Sequence, residues 1–329
     1  MKKKILILGA VLTLVFMCAC TKESVSSVDA GVKEEPIASV EPISDVSGGE
    51  ETGEEKPDDT ALYEAFVNGE MKASIDVKNN SAGYFPFKEI FDGTTEYSLD
   101  EISDALVSYV SKDWESVSAT KGDVTNEYID CGMDSVPELL IGVNINIGEY
   151  ENFLIHFVVK NFDGSLKVCY SCESYARYES TVSPTGFVNG GGSAGAVSKY
   201  FECGYLNANV EYIPWYSCSF EMGLYDTQCY LPGLEGSIDL SAIEEDLSKL
   251  YVDSYTFDTG AEKPEYFYTY YFVDDDYNLV KDDSIYDLEN PIRKAFLEKE
   301  LTVVPQAQIQ NMLDKRQAEI GLSDLVIQK

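Results

Sequence analysis

Apolar positions along the chain fall into three regimes. Lys2, Lys3 and Lys4 precede an unbroken apolar run from Ile5 to Cys18, with a small residue, Ala19, beyond it. A basic n-region, a short h-region and a small residue before the cut have the pattern of a secretory signal peptide over residues 1–19. Fourteen apolar residues are too few for a helix to cross a bilayer core, which takes roughly 20. From Thr21 to Thr60 there is no Phe, Tyr or Trp, and Glu, Ser, Gly, Pro and Val recur. Such a stretch buries too little apolar surface to offset chain entropy, and it reads as a disordered acidic tether over residues 20–60. From Ala61 onward the aromatics are dense, enough for one sizeable core or two small ones.

Periodicity within 61–329 predicts the elements. A first helix is expected from about Asp59 to Met71, with Leu62, Tyr63, Phe66 and Val67 on one face. Ser98 and Glu101 form a capping box ahead of Ile102, Ala105, Leu106, Tyr109 and Val110 at helical spacing. Strand-like runs follow at Val124 to Ile129, Glu138 to Val143, Phe153 to Val159, Ser165 to Tyr170, Ser198 to Tyr205 and Val210 to Trp215, joined by turn dipeptides such as Asp163-Gly164 or by Gly-rich stretches. Helices are expected to return with Ser241 and Glu244 capping Ile243, Leu247, Leu250 and Tyr251. A hairpin around Tyr266 to Val280 follows, then helices opened by Asn290-Pro291 and spanning Gln306 to Leu313. Strands without intervening helices make a meander, so the expected class is α+β, an antiparallel meandering β-sheet with helices segregated at both ends. A distinct helical C-terminal part is expected from about residue 236.

Charge narrows the partners. A formal net charge of −34 argues against nucleic acid and anionic headgroups, because each phosphate contact needs Lys or Arg. The single histidine, His156, argues against metal-hydrolase and His-base mechanisms. It does not touch mechanisms built on carboxylate pairs.

Met17-Cys18-Ala19-Cys20 resembles the lipobox of bacterial lipoproteins. That resemblance implies cleavage before Cys20, fatty acylation of Cys20 and attachment to the outer side of a membrane, where a diacyl or triacyl group holds more firmly than a single chain. Forty flexible residues would then set the domain about 35 Å away from the bilayer.

Four constellations bear on chemistry. Ile129-Asp130-Cys131-Gly132-Met133-Asp134-Ser135-Val136-Pro137-Glu138-Leu139 resembles D-x-D-x-D-G-x-x-E-L calcium loops, with acids at relative positions 1, 5 and 9. Asp130, Asp134 and Glu138 are therefore the candidate metal ligands and Ca2+ the candidate ion, although no cofactor is required. Gly132 stands where a second acid belongs and Ser135 where the turn glycine belongs, so a plain acidic β-turn is the competing reading. Asp274, Asp276 and Asn278 repeat the 1, 3, 5 spacing without the later glycine or Glu, and read as an exposed turn. Gly191-Gly192-Ser193-Ala194-Gly195 satisfies G-x-S-x-G, but a strand follows it and His156 precedes it, so it reads as a glycine-rich loop. Cys169-Tyr170-Ser171-Cys172 lies on a strand, where a redox pair would open a helix.

Tyr266-Phe267-Tyr268-Thr269-Tyr270-Tyr271-Phe272 puts Tyr266, Tyr268, Tyr270 and Phe272 on one face of a strand and Phe267 and Tyr271 on the other. Such a strand serves either as a stacking platform for a carbohydrate or envelope-protein partner or as a packed central strand. The segment from about Tyr63 to Trp215, with the Ser98–Val110 helix, the Tyr-Ile-Asp-Cys-Gly loop before Pro-Glu-Leu, and Ser193-Ala194-Gly195, resembles acidic lipoproteins of Gram-positive gut anaerobes. The resemblance implies no activity. The expectation is a membrane-anchored extracytoplasmic binding or interaction module without catalytic residues, the alternative a carboxylate-based hydrolase of cell-wall or dietary glycans.

Overall fold

A computed structural model describes residues 59–78, 83, 85–113, 118–148, 151–224, 227–257 and 261–327. The signal sequence, Cys20 and nearly all of the tether lie outside the described residues. In chain order the first half contains α1 (Asp59–Val67), β1 (Ala73–Ile75), α2 (Phe87–Ile90), β2 (Glu96–Tyr97), α3 (Leu99–Asp113), β3 (Ala119–Ile129), β4 (Glu138–Ile147), β5 (Glu151–Phe162) and β6 (Ser165–Ser174). The second half contains β7 (Tyr178–Val182), β8 (Phe187–Ser193), β9 (Ser198–Leu206), β10 (Tyr212–Met222), β11 (Gln228–Cys229), β12 (Ile238–Asp239), β13 (Leu250–Thr256), β14 (Phe267–Phe272), α4 (Pro291–Leu297), β15 (Thr302–Val303), α5 (Gln306–Glu319) and α6 (Asp324–Ile327).

The strands form a six-stranded sheet in the order β2-β1-β6-β5-β4-β3 and a seven-stranded sheet in the order β15-β14-β13-β10-β9-β8-β7, with β11 and β12 as a separate pair. The fold is thus mixed α and β and rich in strand. A purely antiparallel meander is corrected here: β1 runs parallel to β6 and β15 parallel to β14. The chain leaves β1 for two helices and three long strands before β6 returns beside it. That long crossover is what a parallel pair requires.

One face of the first sheet buries Leu139, Ile141, Val143, Ile155, Phe157 and Val159 against Tyr63 and Phe66 of α1 and Ile102, Leu106 and Val110 of α3. The expected stripes therefore pack as read. The capping box closes reciprocally at the helix start: the Ser98 amide donates to Glu101 Oε2 at 2.7 Å, and the Glu101 amide donates to Ser98 Oγ at 3.3 Å. The opposite face carries Leu140, Val158, Tyr170 and Cys172, which meet Val182, Val188 and Leu206 of the second sheet. β4 is buried on both faces, which explains its near-continuous apolar run. A register shift where Val158 and Val159 pair with Tyr170 and Val168 turns Tyr170 and Cys172 toward the second sheet.

The third core lies under the other half of the second sheet. There Leu250, Val252, Tyr268 and Tyr270 pack on Ile292 and Phe296 of α4 and Ile238 of β12. The helix expected over Ser241–Tyr251 is absent and is corrected to a short 3-10 turn at Leu247–Lys249 running into β13. Ile243, Leu247 and Leu250 fit a helical stripe only by coincidence. Leu250, Val252, Ser254 and Thr256 alternate with Tyr251, Asp253 and Tyr255, and pairing with both β10 and β14 holds that alternation as a strand. The chain beyond residue 236 is consequently built into the second sheet through β13, β14 and β15 in addition to its helices.

Asn290 caps α4 as its sequence suggests, its Oδ1 accepting from the amides of Ile292 at 2.9 Å and Arg293 at 3.4 Å, with Pro291 in the first turn. Asn290→Ala is expected to cost about 1 kcal/mol in chemical denaturation, a loss that Asn290→Asp avoids.

Candidate functional site

The acidic loop between β3 and β4 is a self-contained turn. Asp130 accepts the Ser135 amide through both carboxylate oxygens at 3.2 Å, and Asp134 Oδ1 accepts the Val136 amide at 2.8 Å. Glu138 is fully buried and turns inward, where Oε2 accepts the Cys131 amide at 2.8 Å and Oε1 meets Lys160 Nζ at 2.5 Å. Burial raises the Glu138 carboxyl, against the pull of the Lys160 ammonium and the Cys131 amide. Each of the three candidate calcium ligands thus has a protein donor, and they do not converge: among the described residues no group of three or more His, Cys, Asp or Glu is set to hold a metal. Gly132, at φ 76°, lies so close to the Ala208 backbone that any Cβ would collide with it. The turn glycine is therefore required by contact with the β9–β10 connection. Tyr63 ties α1 to the same corner, donating to the Pro137 carbonyl at 3.1 Å and accepting the Asn161 amide at 3.0 Å.

Ser193 ends β8, a strand paired on both sides with β7 and β9, and donates to the Gly195 carbonyl in the turn that leads to β9, with no helix following it. The glycine-rich segment read as a loop is corrected to strand over Phe187–Ser193. Gly192 suits a strand here because a Cβ would fall 2.5 Å from the Arg177 carbonyl of the neighbouring β7 end. His156 lies on β5 between Gly142 of β4 and Cys172 of β6, held to the Ser180 backbone and pushed below its ordinary pKa by burial. Serine and histidine therefore work on separate strands with separate partners. All six cysteines of the described residues are free thiols, and burial pushes Cys169 and Cys172 up to about 12. A thiol so protonated is inert as a nucleophile at neutral pH.

Among the described residues, shallow depressions on the surface include two that could admit a small molecule. One of about 500 Å3 is lined by Ser74, Asp76, Lys88 and Lys167, the other of about 410 Å3 by Met133, Tyr205, Asn207 and Leu325. Neither contains a pair of facing acids, as a carboxylate-based hydrolase would need.

The aromatic strand divides its rings as its alternation predicts. Tyr268 and Tyr270 enter the third core, whereas Phe267 and Tyr271 stand half-buried on the opposite, outer face of the second sheet. Pairing brings further rings to that face: Tyr251 and Tyr255 from β13, Phe220 and Tyr216 from β10, and Phe201 from β9, all half-buried. Ring centroids of Phe201 and Tyr216 lie 6.0 Å apart, those of Tyr216 and Tyr255 6.1 Å, and those of Tyr251 and Tyr271 5.7 Å. Four adjacent strands thus share one aromatic surface, and α5 runs across it, contacting both β14 and β10. The Trp215 indole donates to the Leu313 carbonyl there at 3.0 Å, and the Tyr205 hydroxyl to the Ile320 carbonyl at 2.7 Å.

Asp253 lies among these rings, directly opposite Phe220 on β10 and Thr269 on β14. It is 4 % exposed; the Tyr271 hydroxyl bonds to the carboxylate, while Oδ1 has no hydrogen-bond partner among the described residues. Desolvation pushes its carboxyl up to about 8, against that hydrogen bond. Strand alternation alone would have shown an acid between Tyr251 and Tyr255, but the helical reading of this segment hid it. Compared with protein-family models, with curated proteins and with solved structures, the chain gives no match.

Proposed function

We propose that this protein is a lipid-anchored extracytoplasmic binding module. Cys20 carries the anchor, the acidic tether gives reach, and the aromatic outer face of the second sheet takes up the ligand. In this reading the antiparallel meanders form the rigid frame, and helices segregated toward the two ends of the chain cover the remaining sheet faces. The observation that carries it is a row of half-buried aromatic rings on a paired, regular sheet, with a partly unsatisfied acid among them. Rings on strands are held at fixed spacing and lose little entropy on contact, which suits recognition. Net charge directs the choice of partner away from nucleic acid and anionic surfaces.

The test uses the purified full chain and calorimetric titration with a panel of soluble oligosaccharides and amines. Saturable binding is expected for a member of the panel, weakened about tenfold or more by Tyr255→Ala, since central aromatic contacts commonly contribute above 1 kcal/mol. Turnover of a glycan or ester, abolished by a single carboxylate replacement, would overturn the binding reading. The anchor has its own test, because an intact Met1 or an unmodified Cys20 in native material removes it.

A further inference from the structure

Asp253 is a short side chain in a field of long ones. Tyr251 and Tyr255 flank it two residues away on β13, Phe220 faces it from β10, and Tyr271 leans in diagonally from β14. The rings close over the carboxylate without supplying it a cation. Among the described residues no ion pair involves Asp253, and Lys199, opposite Phe220 on β9, is exposed. Burying an acid with an unsatisfied oxygen is costly, and removal of the charge or its pairing would relieve the cost.

Resting on the reading that this face binds, the geometry points to a small organic cation, an alkylated ammonium group, as the ligand seated on the rings around Asp253. Three observations select this chemistry. Aromatic faces attract such cations through their quadrupoles, and the rings here come from three neighbouring strands around one point. The carboxylate below them acts through a low-dielectric layer of rings, where attraction is weakly screened. A chain with net charge −34 concentrates cations and repels anions. A neutral sugar would use the rings but gain little from the charge.

Ligand binding and ionisation are then coupled. Besides Tyr251 and Tyr255 on its own strand, the titratable groups that interact with Asp253 include Cys218 on β10, Tyr271 on β14 and Tyr286 on the Asp283–Tyr286 turn. Burial pushes Cys218, Tyr255, Tyr271 and Tyr286 upward, so they stay neutral while Asp253, with its value of about 8, loses its proton. A bound cation favours the carboxylate. Affinity therefore rises with pH through that range, and below it binding releases a proton.

Calorimetry on the full chain decides the matter, with choline chloride as probe, dimethylbutanol as its neutral carbon isostere, and a neutral oligosaccharide as third titrant. Choline is expected to saturate, to bind at least about tenfold more tightly than the isostere, and to bind more tightly near pH 9 than near pH 6. Asp253→Asn, which keeps the fold, is expected to lose about tenfold or more in choline affinity near pH 9, and Tyr251→Leu a comparable factor. Equal affinity for choline and the isostere, or an unchanged Asp253→Asn variant, overturns the inference. An oligosaccharide that saturates the face when choline does not overturns the cation while leaving the binding face intact. Absence of binding by every titrant overturns both.

Discussion

Lys160→Met is expected to destabilise the protein by about 3–5 kcal/mol near neutral pH, because it leaves the fully buried Glu138 carboxylate without its ammonium partner. Glu138 and Lys160 face each other across β4 and β5 at the corner where α1, the acidic loop and the first sheet meet. The attraction between them has little water to weaken it. Glu138→Ala should be similarly costly, since it strands a lysine only 8 % exposed and removes the acceptor of the Cys131 amide. The combination Glu138→Gln with Lys160→Met should recover most of the loss, because the amide still accepts from Cys131 and no charge remains buried. Urea denaturation of the singles and the double closes the cycle. A double variant as unstable as the singles, or a Lys160→Met loss below about 1 kcal/mol, would show that the pair does not organise this corner.

The second large effect concerns Asp253. Its carboxyl is raised to about 8 in the folded protein, whereas an unfolded aspartate titrates near its ordinary 3.8. The folded state therefore holds the proton more tightly. Between those two values the unfolded chain binds fewer protons than the native one, so stability falls as pH rises and levels off above about 8. The contribution is fully present below the unfolded value. At the top of the window the loss is on the order of 5 kcal/mol for this group taken alone. Asp253→Asn has no proton to lose. It should match the parent near pH 4, retain its stability toward pH 8 and melt at a visibly higher temperature there. Melting curves of the two proteins that stay parallel from pH 4 to pH 8 would place the titration elsewhere.

Legibility differed from element to element for physical reasons. The helix at Ser98–Val110 and the cap at Asn290-Pro291 were readable because their hydrogen bonds connect residues two or three positions apart. The long strands β4 to β6 were readable because their residues are buried from both sides or alternate strictly. β13 was misread, since its first apolar residues satisfy a helical stripe and a strand equally well. Pairing with β10 and β14, more than ten residues away in the chain on either side of the choice, decided between them. β8 was missed because glycines carry no strand signal of their own; they are there to let Arg177 and Tyr178 approach.

The acidic loop shows the same limit in a functional setting. Spacing suggested three carboxylates around one cation, yet spacing cannot say which way a side chain turns. Lys160, twenty-two positions after Glu138, reaches it only because β4 and β5 pair in this register. Asp253 is the converse case, an acid with no motif around it.

Sequence by itself determined the acidic character, the aromatic-poor segment ahead of the domain, the helix caps and the alternation that splits the Tyr266–Phe272 rings between two faces. All of these depend on composition or on neighbours within a few residues. Only the tertiary structure decided that Glu138 is an internal partner of Lys160, that β13 is a strand, and that rings from four strands share one outer face around Asp253. The reason is that burial and charge pairing depend on contacts between residues far apart in the chain, and no local pattern carries them.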